Sequence, residues 1–371
     1  KSPRRPIAPS FAKLYKSFIF NYDEVLQQRY GGRTEGHDIM LCIMPDIYIE
    51  EFQPYADWKH KSGTEIIITK FSEIGANQSN PEIIKNYILN IYNTSENVPT
   101  HILIVGDYGT PSGNAPVKYV NYNYDWTFVN EDYFVELDGN DYFPEMMIGR
   151  FTNYNGTSGG GEYRLEVMVD KFLNKEKFPY TTETEWFQKG TVCSNNFYQS
   201  QVYTKRFAAQ HMLEYGHFTS VDTMMSDYPC TYNVSDIVAA INNGRSFLNY
   251  RGEGWSDGWH ATCYYFTTSY VNSLNNPNKL TFVTSIGCGV AMFDEGNCFG
   301  ETWIEMGSLT EPPRGGCAFI GATSNTHTTY NNYLDKGIYV GMFVEGMDSP
   351  GEALLRGKLY MYQQFGNVYY V

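Results

Sequence analysis

The sequence predicts an α/β protein of two side-by-side halves, each a mostly parallel sheet flanked by helices. Three observations carry this. Short apolar runs alternate along the chain with segments whose apolar residues recur at helical spacing, and strand–helix alternation means βαβ units. The alternation runs through twice, separated by a Gly-rich break at 156–161 and a closing helical stretch. The length, 371 residues, is two to three times that of a usual domain. With 16% aromatic and only 18% charged residues, the composition is that of a packed chain rather than a disordered one. The patterns divide the chain into a junction segment at 1–36, a first half at 37–180 and a second at 181–371.

Each element follows in order. Residues 1–36 carry Pro3, Pro6 and Pro9, then an aromatic stretch at Phe18–Tyr22, and read as a linker with a short helix packed on the main body. Strands are expected at 38–44 (DIMLCIM), 64–70 (TEIIITK) and 101–106 (HILIVG). Between them, helices are expected at 50–61 and 81–93, the latter from the spacing of Ile83, Ile84, Tyr87, Ile88 and Ile91. The polar stretch 107–143 reads as a long loop or hairpin. A strand at 146–151 (MMIGRF) and a helix at 162–177 end the first half. The second half opens with a strand at 188–194 and a helix at 199–215. A helix at 234–243 follows, capped by Asn233 and stopped by Gly244. Strands at 245–250, 280–286 and 316–322 then alternate with helices at 268–275 and 298–307, and helices near 331–346 and 350–364 close the chain.

Charge and cysteine content narrow the function. A net charge of −14 argues against nucleic acid or an anionic membrane as partner. No apolar run approaches the roughly 18 residues of a membrane span. The seven cysteines (Cys42, Cys193, Cys230, Cys263, Cys288, Cys298, Cys317) leave at least one unpaired, and no C-x-x-C is present. The chain starts at Lys1-Ser2-Pro3, and its low Lys content beside many Tyr, Asn, Thr and Gly leans toward an exported, processed protein.

In open parallel sheets the working loops follow the carboxyl ends of strands. Four stand out: Gly106-Asp107-Tyr108, Gly252-Glu253-Gly254, Gly287-Cys288-Gly289 and Thr323–Thr329. Glycine on either side of a polar residue lets backbone approach a ligand closely. Cys288 therefore has the setting of a nucleophile, although a small buried thiol fits its position equally. A nucleophilic thiol needs a base or a positive neighbour, expected as a His on an adjacent strand end.

The segments LIVGD (103–107), GNDYFPEMMIGRF (139–151), FLNYRGEG (247–254), TSIGCGVAMF (284–293), CFGETW (298–303) and GGCAFIGATSN (315–325), in this order and spacing, resemble the gingipain-type cysteine peptidases, which have a caspase-like α/β fold. The resemblance covers most of 37–346. It implies an exported or cell-surface cysteine endopeptidase domain acting on protein or peptide. Segment 18–24 looks like the junction upstream of the catalytic domain in larger members, which implies further domains of one precursor. By the same likeness Cys288 is the nucleophile, Glu145 the acid that orients the catalytic His, and the N–H groups of Gly254 and Cys288 the oxyanion hole. Members commonly bind calcium, so a structural Ca²⁺ is expected on Asp138, Asn140 and Asp141 of the acidic stretch that also holds Asp132 and Glu136.

One position departs from the pattern. The family's His stands in a G-H-G triplet, and this chain has Glu253 there. A carboxylate beside a thiol disfavours the thiolate, and it cannot form an ion pair with one. His260 and His327 are the substitute bases within reach in sequence. Glu162 lies near the place of the pocket acid that the resemblance implies for members cleaving after Arg or Lys, and His37, His60, His101, His211 and His217 read as structural. Three readings stay open: a peptidase with an unusual or relocated base; a pseudopeptidase serving as binding or scaffold domain; and a non-peptidase enzyme or a glycan-binding module using the aromatic loops at 119–133 and 255–265.

Overall fold

The computed structural model describes residues 7–31, 36–109, 113–122, 126–139, 141–153 and 161–366. The strands are β1 (Ile39–Met44), β2 (Glu65–Lys70), β3 (His101–Val105), β4 (Tyr119–Tyr122), β5 (Trp126–Val129), β6 (Met147–Phe151) and β7 (Lys189–Ser194). They continue with β8 (Ser220–Met225), β9 (Phe247–Arg251), β10 (Gly254–Trp255), β11 (Gly258–Ala261), β12 (Tyr264–Thr267), β13 (Thr281–Ile286) and β14 (Gly316–Gly321). The helices are α1 (Pro9–Phe18), α2 (Tyr22–Tyr30), α3 (Ile49–Lys61), α4 (Phe71–Ile74), α5 (Pro81–Thr94) and α6 (Gly161–Glu176). In the second half lie α7 (Gln199–Glu214), α8 (Val234–Asn242), α9 (Thr268–Asn272), α10 (Phe299–Glu305), α11 (Thr328–Phe343) and α12 (Pro350–Phe365).

Two parallel sheets form the frame. The first has the order β2-β1-β3-β6, the second β14-β13-β9-β7-β8. Strands covered on both faces need to be apolar throughout: β1 (IMLCIM) is almost wholly buried and β13 (TFVTSI) entirely so. One face of the second sheet packs on Trp259, Phe266, Phe299 and Trp303. The other packs on Met212 of α7 and on Ile338 and Tyr339 of α11. The two halves are tied at α10, where the buried Lys171 Nζ of α6 donates to the Trp303 carbonyl at 2.8 Å and Thr152 Oγ1, just after β6, donates to Glu305 Oε1 at 3.1 Å.

The expected elements form within a few residues of their predicted ends, and the α/β fold stands. Four differences have physical reasons. The N-terminal segment holds two helices rather than one, and α1 is anchored: Leu14 buries against Met147, Met347, Leu355 and Leu359. Strand β8 was not anticipated because this edge strand (SVDTMM) is largely unburied and carries no apolar run. The antiparallel sheet β10-β11-β12 is built of strands of two to four residues, too short for periodicity to register. Helix α11 starts at Thr328, three residues early, because His327 caps it: its Nδ1 accepts from Thr329 N–H at 3.3 Å. A cavity of about 1030 Å³ lies between β6 and β14, the outermost strands of the two sheets. It reaches Gly287 and Thr326.

Candidate active site

Strands β9, β13 and β14 are neighbours in the second sheet, so the loops that follow them share one edge. The triplet Gly252-Glu253-Gly254 leaves β9, Gly287-Cys288-Gly289 leaves β13, and Ala322–His327 leads from β14 to α11. The first two loops touch through backbone. A methyl group on Gly287 would meet the Gly252 carbonyl oxygen at 2.7 Å, and one on Gly254 would meet the Cys288 carbonyl oxygen at 3.1 Å. Glycine at 254 and 287 is what lets the chain approach this closely.

Cys288 is half-buried. Its Sγ receives the Thr326 N–H at 3.4 Å and lies 3.7 Å from the Thr326 carbonyl oxygen and 3.8 Å from its hydroxyl. Asn331 Nδ2 fixes that hydroxyl at 2.6 Å. Among the described residues the Cys288 N–H donates no hydrogen bond, so it is free for a ligand oxygen.

Glu253 is exposed. Its carbonyl oxygen accepts from Tyr250 Oη at 2.7 Å and from the His260 N–H at 3.0 Å, which holds the triplet in place. Tyr250 is itself locked, stacked on Trp259 at 4.3 Å between ring centroids. Among the described residues the Glu253 carboxylate has no hydrogen bond or ion pair.

The two substitute histidines are engaged elsewhere. His260 lies on β11 with Nε2 at 2.8 Å from Asp257 Oδ1, and His327 uses Nδ1 as the cap of α11. Glu145 Oε2 accepts from the Leu137 and Asp138 N–H groups at 2.6 and 3.2 Å. It braces that turn, and burial raises its carboxyl above the usual range. Asp138 Oδ1 accepts from Gly139 N–H and Asp141 Oδ1 from Phe143 N–H, at 2.9 and 3.0 Å, while Asn140 lies outside the described residues. Among the described residues no three His, Cys, Asp or Glu side chains converge as a metal cage. A calcium ion takes six to eight oxygens, so these two carboxylates alone do not make its site.

A thiol beside a free N–H, on a loop after a central parallel strand, is the layout of a nucleophile site. The model of peptidase family C25 matches residues 34–370. The chain belongs to peptidase family C25. Among curated proteins it is similar to gingipain R2 of Porphyromonas gingivalis, 25% identical over 326 residues, which is 85% of this chain and 40% of that protein. It is also similar to gingipain R1 of the same organism, 24% identical over 330 residues, 85% of this chain and 30% of that protein. The chain thus spans less than half the length of these curated relatives. The crystal structure of the Arg-specific cysteine proteinase gingipain R superposes with a TM-score of 0.76 at 21% identity, covering 90% of this chain and 74% of that one. This C25 chain therefore has the caspase-like fold.

Sequence reasoning missed three things here. Thr326, which touches the thiol, carries no chemistry of its own to mark it. Cys230 and Cys263 form a disulfide that spacing alone cannot pair. Arg251 sits beneath the site and looks in sequence like the polar end of a strand.

Proposed function

We propose that the chain is the catalytic domain of an exported cysteine endopeptidase, with Cys288 as nucleophile and proteins or peptides as substrates. The observation that carries this is the half-buried Cys288 thiol at the sheet edge, with its own N–H unspent. In the proposed reaction Sγ attacks the scissile carbonyl carbon, and the developing oxyanion takes the N–H groups of Cys288 and Gly254. The thiol proton passes to Glu253, which stands in the place of the expected His. It then goes to the leaving amine as the C–N bond breaks, and water releases the acyl group from sulfur. His260 and His327 are weaker candidates for the base, since each imidazole already has a partner. Glu145 is the acid that would orient an imidazole at position 253.

Export is supported by the Cys230–Cys263 disulfide, a bond of oxidising compartments. No helix among the described residues is long and apolar enough to cross a membrane. Further domains of the same precursor belong to the proposal, as does a calcium ion at 138–141 if Asn140 and carbonyl oxygens complete its shell.

The second reading is a pseudopeptidase acting as a binding or scaffold domain. It is favoured by the exposed carboxylate of Glu253 at the position where the mechanism asks for an imidazole. Cleavage of a mixed peptide library, with reductant and calcium, by the parent and by Cys288→Ala separates the two. Cleavage by the parent alone establishes the peptidase; cleavage by neither favours the scaffold reading and makes Glu253→His the next variant.

A further inference from the structure

A nucleophilic thiolate needs a positive neighbour, and the loops on the solvent side supply none that is uncommitted. Glu253 is an acid, His260 is turned to Asp257 and His327 caps α11. The positive charge lies underneath. Arg251 is the last residue of β9, is 1% exposed, and spends its whole fork on the elements that shape the site. Nη1 donates to the Ile286 carbonyl at 3.2 Å, one residue before Gly287. Nη2 donates to the Thr328 carbonyl and hydroxyl, both at 2.7 Å, two residues after Thr326. Nε donates to Asn332 Oδ1 at 2.9 Å. One side chain thus ties together the end of β9, the end of β13 and the start of α11.

The charge is as well placed as the fork. Arg251 and Cys288 lie within electrostatic reach of each other, and burial does not strip an arginine of its proton. Below them Lys205 is ion-paired to Asp335, both with side chains fully buried. Two buried cations, Arg251 and Lys205, therefore share one buried carboxylate, Asp335. The other titratable groups whose charges reach Arg251 or Lys205 are Tyr250 from β9 and Cys193 from β7, and Glu253 reaches Tyr250 from the loop after β9.

We propose that Arg251 is the positioning residue of this site, fastening the three loops and supplying the fixed positive charge that favours the Cys288 thiolate where an imidazolium is lacking. This rests on the reading of Cys288 as nucleophile. Unlike an imidazolium, the guanidinium keeps its charge across the neutral and alkaline range.

The test is the rate of iodoacetamide alkylation at Cys288, located by peptide mass spectrometry, from pH 6 to 9. The parent is compared with Arg251→Lys, Arg251→Gln and Asn332→Asp. Arg251→Gln is expected to alkylate about tenfold slower at pH 7, or slower still, and Arg251→Lys to stay within about threefold of the parent. Asn332→Asp keeps the side-chain shape while neutralising the guanidinium, so it reads the charge even if Arg251→Gln does not fold; several-fold slowing is expected. A parental rate in Asn332→Asp or in folded Arg251→Gln overturns the proposal. An Arg251→Lys rate as low as that of Arg251→Gln overturns the charge role and leaves only the fork, which lysine cannot reproduce. Alkylation does not depend on turnover: a parent that cleaves nothing but shows these rates sinks the peptidase reading and keeps the role of Arg251.

Discussion

The Thr326 N–H reaches the Cys288 Sγ across 3.4 Å, so the thiol takes its place from the loop that opens α11 rather than from the Gly252–Gly254 triplet. The loops after β13 and β14 meet at that contact, and the loop after β9 packs beside it through Gly254 and the Cys288 carbonyl. Changes at any of them alter the site in ways that can be told apart.

Restoring the imidazole is the most direct change. Glu253→His is expected to raise peptide cleavage by about 10²–10⁴-fold over the parent, the usual worth of general acid–base catalysis. Glu145→Gln in that background is expected to take part of the gain away. Comparison of kcat/KM on one peptide checks both.

Thr326→Val removes the hydroxyl that Asn331 Nδ2 binds at 2.6 Å and leaves a buried amide unpaired. A cost of about 1–3 kcal/mol is expected in urea unfolding. The backbone N–H toward Sγ survives, so Cys288 alkylation should change little.

Gly287→Ala places a methyl group 2.7 Å from the Gly252 carbonyl oxygen. The two loops must separate, at a cost of about 1–3 kcal/mol. Thermal melting checks the cost, and loss of cleavage checks the displacement of Gly254 from Cys288.

Stability should fall as pH rises from about 4 toward 7. Burial, joined by Asp294 nearby, pushes Asp107 up to about 7, against opposing help from the Tyr108 N–H and Arg150. Burial likewise takes Glu136 up to about 7. A carboxyl raised in the folded state adds its stability below its ordinary range and loses it as pH climbs through the raised value. For the 3% exposed Asp107 this amounts to about 4 kcal/mol. Urea midpoints measured from pH 4 to 8 should decline, and Asp107→Asn should flatten the decline.

The Cys230–Cys263 bond closes a loop with a sequence separation of 33. Replacing both by Ser is expected to cost about 3–4 kcal/mol on loop-entropy grounds. Differential scanning calorimetry of the double variant checks it.

Peptide-scale chemistry determined much of this protein without any coordinates. The all-apolar runs of β1 and β13 and the helical spacing in α5 and α7 were legible because a strand or helix is set by residues within a few positions of each other. Gly287-Cys288-Gly289 and Gly252-Glu253-Gly254 were legible for the same reason. The ordered set of short motifs carried the family. Tertiary structure alone decided which distant residues meet. Arg251 reaches Thr328 and Asn332 across 77 and 81 positions, Lys13 reaches Asp348 across 335, and Cys230 finds Cys263. It also turned His260 to Asp257 and made His327 a helix cap. Such pairings depend on strand order and helix placement, which sum over the whole chain, and a local pattern holds no record of them.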